Sequence, residues 1–241
     1  MFSVRICKHW IAAFFVMAVS AMVASQVSAA VIGQLNIANA VGGGITLTST
    51  SIDFLLPAAG GNGAMASGIG TNINYAGGGP LGSGSAGLAK DFALAGLPVV
   101  DFMTFAGDPL LHFDLTGMGP GVLNTTAVNV LDPNTAPSSP SVGSPFILQS
   151  TATGTTLTFS VNGIARDNSS PDSLWSGLFT TQFAGVTPFQ VQQTLLNDGS
   201  ISSTYSASIV ASGFIPEPSA AALMLAGILP LFRRRRSAIG N

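Results

Sequence analysis

The stretch Thr155-Thr156-Leu157-Thr158-Phe159-Ser160-Val161-Asn162-Gly163-Ile164-Ala165 alternates polar and apolar side chains along most of its length. A two-residue period puts one set of side chains on each face of a β-strand. The same alternation recurs in residues 174–183 and 201–210. These segments predict a mainly β protein.

Further strand signals lie on the N-terminal side of this stretch. They cover residues 31–40, 45–48, 52–56, 99–105 and 110–115, and Gly107-Asp108-Pro109 is typical of a turn between the last two. Two segments rich in glycine or in proline and serine, residues 58–87 and 131–145, indicate long loops, the first containing a short ordered segment at 69–75.

One helix is expected among the strands. Thr187 is a good N-cap, Pro188 suits the first helical position, and Gln190 completes a Thr-x-x-Gln capping box. The helix is predicted to run to about Leu196 and to stop at Asn197-Asp198-Gly199.

About seven strands, one short helix and two long loops predict a single β-sandwich, jelly-roll-like, over residues 30–213. A three-sided β-solenoid is the alternative. It needs an internal repeat at a fixed period, and the sequence contains none.

The first 29 residues have the pattern of a signal peptide. Arg5 and Lys8 form a basic region, residues 10–23 are apolar, and Val27-Ser28-Ala29 supplies small residues for cleavage. An uncleaved anchor is the alternative. The chain's one cysteine, Cys7, lies in the part expected to be removed, so the mature chain would have no disulfide and no thiol nucleophile.

A second address lies at the other end of the chain, where Pro216-Glu217-Pro218 precedes an apolar run, residues 219–232, and then Arg233, Arg234, Arg235 and Arg236. The prolines fix where the apolar helix begins. Moving the arginine side chains across a bilayer has a high free-energy cost, so they act as a membrane stop and stay on the cytoplasmic side. An ordinary C-terminal core helix is the alternative, but it has no use for four adjacent arginines.

The apolar run is short for a permanent anchor. Its 14 residues span roughly 21 Å, whereas the hydrocarbon core of a bilayer measures about 30 Å. Such a length suits a segment that is held in the membrane transiently while an enzyme processes it.

The order of the three parts, Pro-Glu-Pro, short apolar helix and arginine cluster, resembles the PEP-CTERM sorting signal of Gram-negative and related bacteria, here over residues 214–237. The resemblance implies that an exosortase, a membrane-embedded processing enzyme, recognises Pro216, Glu217 and Pro218 and cuts nearby. Residues 87–115 and 177–207 are also similar to the ectodomains of many PEP-CTERM proteins, which implies a common fold and no particular chemistry.

The charge of the body excludes one class of function. Residues 30–215 hold two cations, Lys90 and Arg166, against nine aspartates, which gives a net charge of −7. Nucleic acid binding is excluded because almost nothing basic remains to neutralise phosphates. A surface of hydroxyls and amides with few charges suits a secreted protein in a polysaccharide-rich environment.

The sequence predicts no catalytic residues. His112 and Asp114 share one face of a strand, but no Gly-x-Ser-x-Gly elbow supplies a nucleophile beside them. The glycine pattern in residues 82–87 lacks the strand before it and the helix after it that dinucleotide binding requires. Glycosidase chemistry needs two facing carboxylates, and the body offers only aspartates. We therefore expect no enzymatic activity.

One loop has a pattern that could bind a ligand. Asp167, Asn168 and Asp172 place several oxygen atoms close together, as in a Ca²⁺ site, although turn-forming residues have the same pattern. Trp175 beside them could stack on a sugar ring or lie in the core. No cofactor and no metal site are predicted beyond this possible Ca²⁺.

The sequence thus predicts an exported protein, and the resemblance implies an exosortase as its processing partner. It would be held transiently in the membrane by its C-terminal helix and then reside at the cell surface or outside the cell. Its ectodomain would be a structural or adhesive component of an exopolysaccharide layer. The alternative is a carbohydrate-binding module that uses Trp175, Asp167 and Asp172, with Ca²⁺ assisting.

Overall fold

A computed structural model of the chain describes residues 31–55, 62–76, 78–120, 137–141, 143–168 and 172–213. The predicted signal peptide, residues 1–29, and the predicted sorting signal, residues 214–237, lie outside the described residues. Among the residues described, no helix has the length and apolar character needed to span a membrane.

The described part of the chain is built mainly from strands. They are β1 Ile32–Asn39, β2 Gly44–Leu47, β3 Ser51–Leu55, β4 Gly63–Ser67, β5 Asn72–Asn74, β6 Ala86–Ala89, β7 Phe92–Ala93, β8 Val99–Phe105, β9 Asp108–Pro120, β10 Ile147–Thr151, β11 Gly154–Arg166, β12 Ser173–Ala184, β13 Ile201–Ser203 and β14 Tyr205–Ser212. One α-helix, α1 Pro188–Asn197, and a 3-10 helix, Leu94–Gly96, complete the elements.

The predicted β-sandwich is wrong, because the main sheet closes into an eight-stranded barrel. Its neighbours run in the order β11, β12, β14, β1, β4, β6, β8 and β9, and β9 pairs again with β11. This last ladder joins residues 112–120 to residues 159–166 and removes the two free edges that an open sheet would leave. β5 and β10 are attached to the barrel through β1 and β11.

A second, four-stranded sheet in the order β13, β2, β3, β7 closes one end of the barrel. Neighbouring barrel strands are all antiparallel, so the ends of β1, β6 and β12 lie at the same end as the starts of β4, β8 and β14. The second sheet and α1 belong to the connections at that end, which we call the capped end. The chain enters β1 and leaves β14 at the opposite end, the terminal end.

Aromatic rings fill the space between the barrel and the second sheet. Phe159 and Phe179, opposite each other on β11 and β12, stack with centroids 5.0 Å apart. Phe54 of the second sheet packs edge-on against Phe102, at 5.9 Å, and against Tyr205, at 5.2 Å. The capped end is therefore sealed by a continuous aromatic core that the barrel and the second sheet share.

The predicted helix is confirmed with its cap. Thr187 Oγ1 accepts a hydrogen bond from the Gln190 backbone N–H at 3.3 Å, and Gln190 Oε1 accepts one from the Thr187 N–H at 2.8 Å. The apolar side chains of Val191 and Leu195 are buried against the body of the domain.

Most of the predicted strands are present, but the predicted long loop at residues 58–87 also contains β4 and the start of β6. Both strands consist largely of glycine and alanine, and the alternation of large apolar and polar side chains is therefore missing from them. Pro109, predicted in a turn, lies in β9, and the hairpin turns at residues 106–107.

Candidate functional site

Trp175 lies in the interior of the barrel. Its side chain is only 2% exposed, its ring stacks on Phe102 with an interplanar angle of 7°, and its indole N–H donates to the carbonyl oxygen of Asp114 at 3.0 Å. A sugar ring cannot reach a face that is already covered in this way. The tryptophan therefore belongs to the core, as the alternative interpretation of the sequence had it.

Asp167, which the sequence offered either as a Ca²⁺ ligand or as a turn residue, is fully buried, whereas Asp172 is exposed. One carboxylate oxygen of Asp167 accepts a hydrogen bond from the backbone N–H of Ala76 at 2.7 Å. This contact fixes the segment after β5 to the end of β11 at the terminal end of the barrel. In the parts of the chain that the structure describes, no three histidine, cysteine or acidic side chains come together as a metal-ligand group.

A second contact at the terminal end joins Tyr75 to Asp108, the first residue of β9. The tyrosine hydroxyl donates to the Asp108 carboxylate. Burial, together with this hydrogen bond and the negative charges of Asp108 and Asp167, raises the pKa of Tyr75 to about 12. The hydroxyl therefore stays protonated, and able to donate, far above neutral pH.

Four ionisable side chains meet on the outer face of β8, β9 and β11. Arg166 donates two hydrogen bonds of 2.8 Å to the two carboxylate oxygens of Asp114 and one of 3.1 Å to Asp101. His112 Nδ1 lies 2.9 Å from Asp101 Oδ1, but the geometry of this contact is not that of a hydrogen bond. We call these residues the ionic cluster.

The ionic cluster stabilises an irregular strand. Asp101 has a φ of +53° and lies in a bulge of β8, and its backbone N–H donates to Asp114 at 2.7 Å. Burial raises the pKa of Asp114, but the hydrogen bonds from Arg166 and Asp101 and the positive charge of Arg166 outweigh burial and lower it. Hydrogen bonding to Asp114 in turn raises the pKa of Arg166.

This geometry suits structural support better than catalysis. The guanidinium group of Arg166 is engaged by two carboxylates, and among the described hydrogen bonds none brings a serine or threonine hydroxyl to His112. A triad needs such a hydroxyl as its nucleophile. The sequence placed His112 and Asp114 on one strand face, but the pairing of Asp114 with Arg166 depends on the closure of the barrel, and no local pattern carries that information.

The outer face of β1, β14, β12, β11 and β9 is a wide surface of hydroxyl and amide side chains, which we call the polar wall. Neighbouring rows run from Ser160 through Leu178 and Ser208 to Asn36, and from Asn162 through Ser176 and Val210 to Gln34. Gln34 Nε2 donates to Asn36 Oδ1 at 3.1 Å and to Ser208 Oγ at 3.4 Å. No charged side chain stands in either row.

A trough of about 570 Å³ crosses the polar wall. Two glycines of β9 leave it open. A Cβ atom on Gly117 would lie 2.3 Å from Asn162 Oδ1, and one on Gly119 would lie 3.3 Å from Ser160 Oγ. The trough is lined by Gly117, Gly119, Ser160, Asn162, Ser176, Leu178, Ser208 and Val210 among others.

The polar side chains of the trough are neutral hydroxyl and amide groups, and they share its lining with apolar side chains such as Met118, Leu178 and Val210. Hydroxyl groups both donate and accept, and an amide side chain offers a donor and an acceptor side by side. Such groups can bind an uncharged polyhydroxylated ligand directly or through water. Sequence reasoning identified the excess of hydroxyls and amides but did not locate this trough, because its walls come from four strands.

The outer face of β4, β6 and β8 has a different character, and we call it the alanine wall. Ala64 and Ala66 of β4 lie beside Leu88 and Ala86 of β6, and Thr104 of β8 follows Leu88 in the same row. A second trough of about 590 Å³ on this side is lined by four alanines, Ala40, Ala64, Ala86 and Ala106, together with Leu88, Pro109 and others.

The chain was compared with protein-family models, with curated proteins and with solved structures, and none of the three comparisons gives a match.

Proposed function

We propose that this chain is an exported protein that an exosortase processes through residues 214–237, and that its barrel is a structural or adhesive component of an exopolysaccharide layer. The observation that supports the adhesive role is the polar wall, with its uncharged trough lined by Ser160, Asn162, Ser176 and Ser208. Neutral polysaccharides present hydroxyl groups, with which the hydroxyl and amide side chains of this wall can form hydrogen bonds.

The arrangement of the ends supports the sorting role. The chain enters β1 and leaves β14 at the terminal end. A tail held in the membrane would therefore attach the barrel by that end and leave its walls uncovered. A carbohydrate-binding module based on Trp175 is not favoured, because that side chain is in the core. The trough takes over the binding role in this proposal.

The sorting role is tested by replacing Glu217 with Ala in a host that contains an exosortase. We expect unprocessed protein to accumulate in the membrane fraction, because the resemblance assigns this side chain to enzyme recognition. Ser219→Ala, two residues away, is the matched control and should be processed like the parent. Cell fractionation and the mass of the product give the result, and normal release of Glu217→Ala would contradict the proposal.

The adhesive role is tested by co-sedimentation of the chain with neutral polysaccharide isolated from the host. Asn162→Ala and Ser208→Ala together remove three side-chain hydrogen-bonding groups from the trough, two from the amide and one hydroxyl. We expect a weaker binding isotherm than for the parent. Ser202→Ala, an exposed serine of the second sheet, should bind like the parent. Equal binding by the trough variant would exclude this trough as the contact surface.

A further inference from the structure

Three branched aliphatic side chains are exposed where the chain leaves the barrel. Ile32 is 46% exposed, Leu174 is 55% exposed and Val210 is 53% exposed. Each lies at the terminal end of its strand, on the outer face, and we call the three together the aliphatic rim.

The three side chains of the aliphatic rim lie on adjacent strands, with polar residues between them. They lie on β1, β12 and β14, and β14 pairs with both of the others. Leu174 is opposite Ser212, and Val210 is opposite both Gln34 and Ser176. Adjacent strands are about 4.8 Å apart, so the rim spans three strands around the last residue of β14.

A short segment connects the end of β14, beside the aliphatic rim, to the apolar run. Strand β14 ends at Ser212, and the apolar run begins at Ser219, which leaves six residues between them, Gly213 to Pro218. Six residues extend at most about 20 Å. Whatever surface holds the apolar run must therefore lie within that distance of the rim.

The charges near the rim indicate what kind of surface this is. Arg166 is paired with Asp114 and Asp101, and Asp172 is exposed two residues before Leu174. The rim thus has no unpaired cation among the described residues around it, so nothing there attracts anionic headgroups. Aliphatic side chains beside one exposed acid suit a zwitterionic bilayer surface.

We propose that the aliphatic rim rests on a zwitterionic membrane surface while the apolar run is inserted. This inference depends on the proposed function, since it requires the tail to be in the bilayer. Three aliphatic side chains bind a membrane weakly on their own, but the six-residue tether keeps them at a high effective concentration beside it. The barrel is then held with its terminal end toward the membrane and its capped end away from it.

The test uses the full chain with Cys7→Ser, which contains no other cysteine. One version carries Leu174→Cys, and the control carries Val41→Cys, a position 97% exposed at the capped end. Each is labelled with an environment-sensitive fluorophore and reconstituted in phosphatidylcholine vesicles that contain a headgroup spin label. Resistance to carbonate extraction reports separately whether the tail is inserted.

We expect a blue-shifted emission that the spin-labelled lipid quenches at position 174, and a water-like, unquenched emission at position 41. Adding Ile32→Ser and Val210→Ser should reduce the blue shift at 174. Matching, water-like emission at both positions with the tail inserted would overturn the rim inference and leave the sorting role intact. A blue shift that grows with protein concentration and is not quenched by the lipid would identify a second copy as the partner and overturn it as well. A tail that is extracted by carbonate would overturn the sorting role, and the rim inference with it.

Discussion

The polar wall and the alanine wall belong to one closed barrel, yet they are built differently. β9, β11 and β12 of the polar wall have 13, 13 and 12 residues, whereas β4 and β6 of the alanine wall have 5 and 4. On the polar wall, large apolar side chains point inward, and the outward rows contain hydroxyl and amide side chains together with a few aliphatic ones such as Leu178 and Val210. On the alanine wall, the inward positions include Gly63 and Gly87, both buried.

The difference arises from which side chains pack against the inner face of each wall. A Cβ atom on Gly63 would lie 2.3 Å from the Cβ of Phe54, and one on Gly87 would lie 2.7 Å from the carbonyl oxygen of Thr104. Phe54 of the second sheet occupies the space that a side chain at Gly63 would need, whereas the barrel residues Met65 and Phe105 fill the space beside Gly87. Glycine at the contact between the two sheets thus allows the barrel wall to approach the second sheet closely.

The largest effect is expected for Gly63→Ala in the alanine wall. Its added methyl group would collide with Phe54, and neither side can move without disturbing the aromatic core. We expect a loss of unfolding free energy of about 3 kcal/mol or more, measured by urea denaturation. Gly82→Ala, at a glycine with open space around it, should change stability by less than about 0.5 kcal/mol. Similar values for the two variants would mean that the alanine wall is not packed against the second sheet.

The next effect concerns the ionic cluster, where the alanine wall meets the polar wall. Replacing Arg166 with Gln leaves the carboxylates of Asp101 and Asp114 side by side without their cation. We expect a loss of about 1 to 2 kcal/mol, since these side chains are partly exposed and water screens the remaining repulsion. Lys90→Gln, which removes a cation outside the cluster, is the matched control and should cost less.

The pH dependence of this effect has a defined sign. The pKa of Asp114 is lowered in the folded chain, so its contribution is present above the pKa of an unfolded aspartate, about 3.9. It is lost as the pH falls through the lowered value. Denaturation midpoints measured from pH 7 down to pH 2 should therefore fall more steeply for the parent than for Arg166→Gln. Parallel curves would show that the Arg166–Asp114 pair does not contribute.

A smaller effect separates the two tyrosines of the chain. Tyr75 donates to Asp108, where the end of β5 meets the start of β9, and Tyr205 has a buried hydroxyl with no hydrogen-bond partner among the described residues. We expect Tyr75→Phe to cost about 1 kcal/mol and Tyr205→Phe to be neutral or stabilising. Thermal unfolding of the two variants at neutral pH measures the difference, and the reverse order would contradict the assignment of these hydroxyls.

Both tyrosines should also resist ionisation. The pKa of Tyr75 is raised to about 12, and burial raises that of Tyr205 as well. Because both hydroxyls ionise less readily in the folded chain than in the unfolded one, the full stability of the fold is retained below the pKa of an unfolded tyrosine, about 10. It is lost as the pH rises through the raised folded values. Absorbance near 295 nm should thus stay low at pH 10 and rise only when the chain unfolds, whereas early ionisation would show that Tyr75 is open to water.

The smallest effect on stability is expected for single substitutions in the outward rows. Ser176→Ala on the polar wall and Ala64→Ser on the alanine wall exchange the same two residue types in opposite directions. Both should change the unfolding free energy by less than about 0.5 kcal/mol, because both side chains face outward. A much larger cost for Ala64→Ser would reveal a contact that covers the alanine wall.

The sequence predicted the polar wall far better than the alanine wall, for a physical reason. Strands β11, β12 and β14 bury large apolar side chains on one face, which produces a strong two-residue period. The inward glycines of β4 and β6 exist because Phe54 and other distant residues fill the space. Such strands carry no local signal, and without them the remaining strands were assigned to an open sandwich.

The candidate site was likewise predicted only in part: the sequence showed its residue types but not its position. The abundance of serine, threonine and asparagine could be read directly, but the trough depends on which strands are neighbours around the barrel. Trp175 is a further residue whose environment depends on a neighbouring strand. Its position on a strand was predicted, but burial depends on Gly163, which lies opposite it on β11 and has no side chain to keep the indole ring away.

The position of β14 also has a mechanical consequence. This strand leads directly into the tail, and it is hydrogen-bonded on both sides, to β1 and to β12. The bonds of an antiparallel ladder run perpendicular to the strands. If the wall is attached to a matrix and the tail is held elsewhere, the pulling force acts along β14, and both ladders resist it in shear. The bonds of both ladders then share the force, instead of breaking one after another.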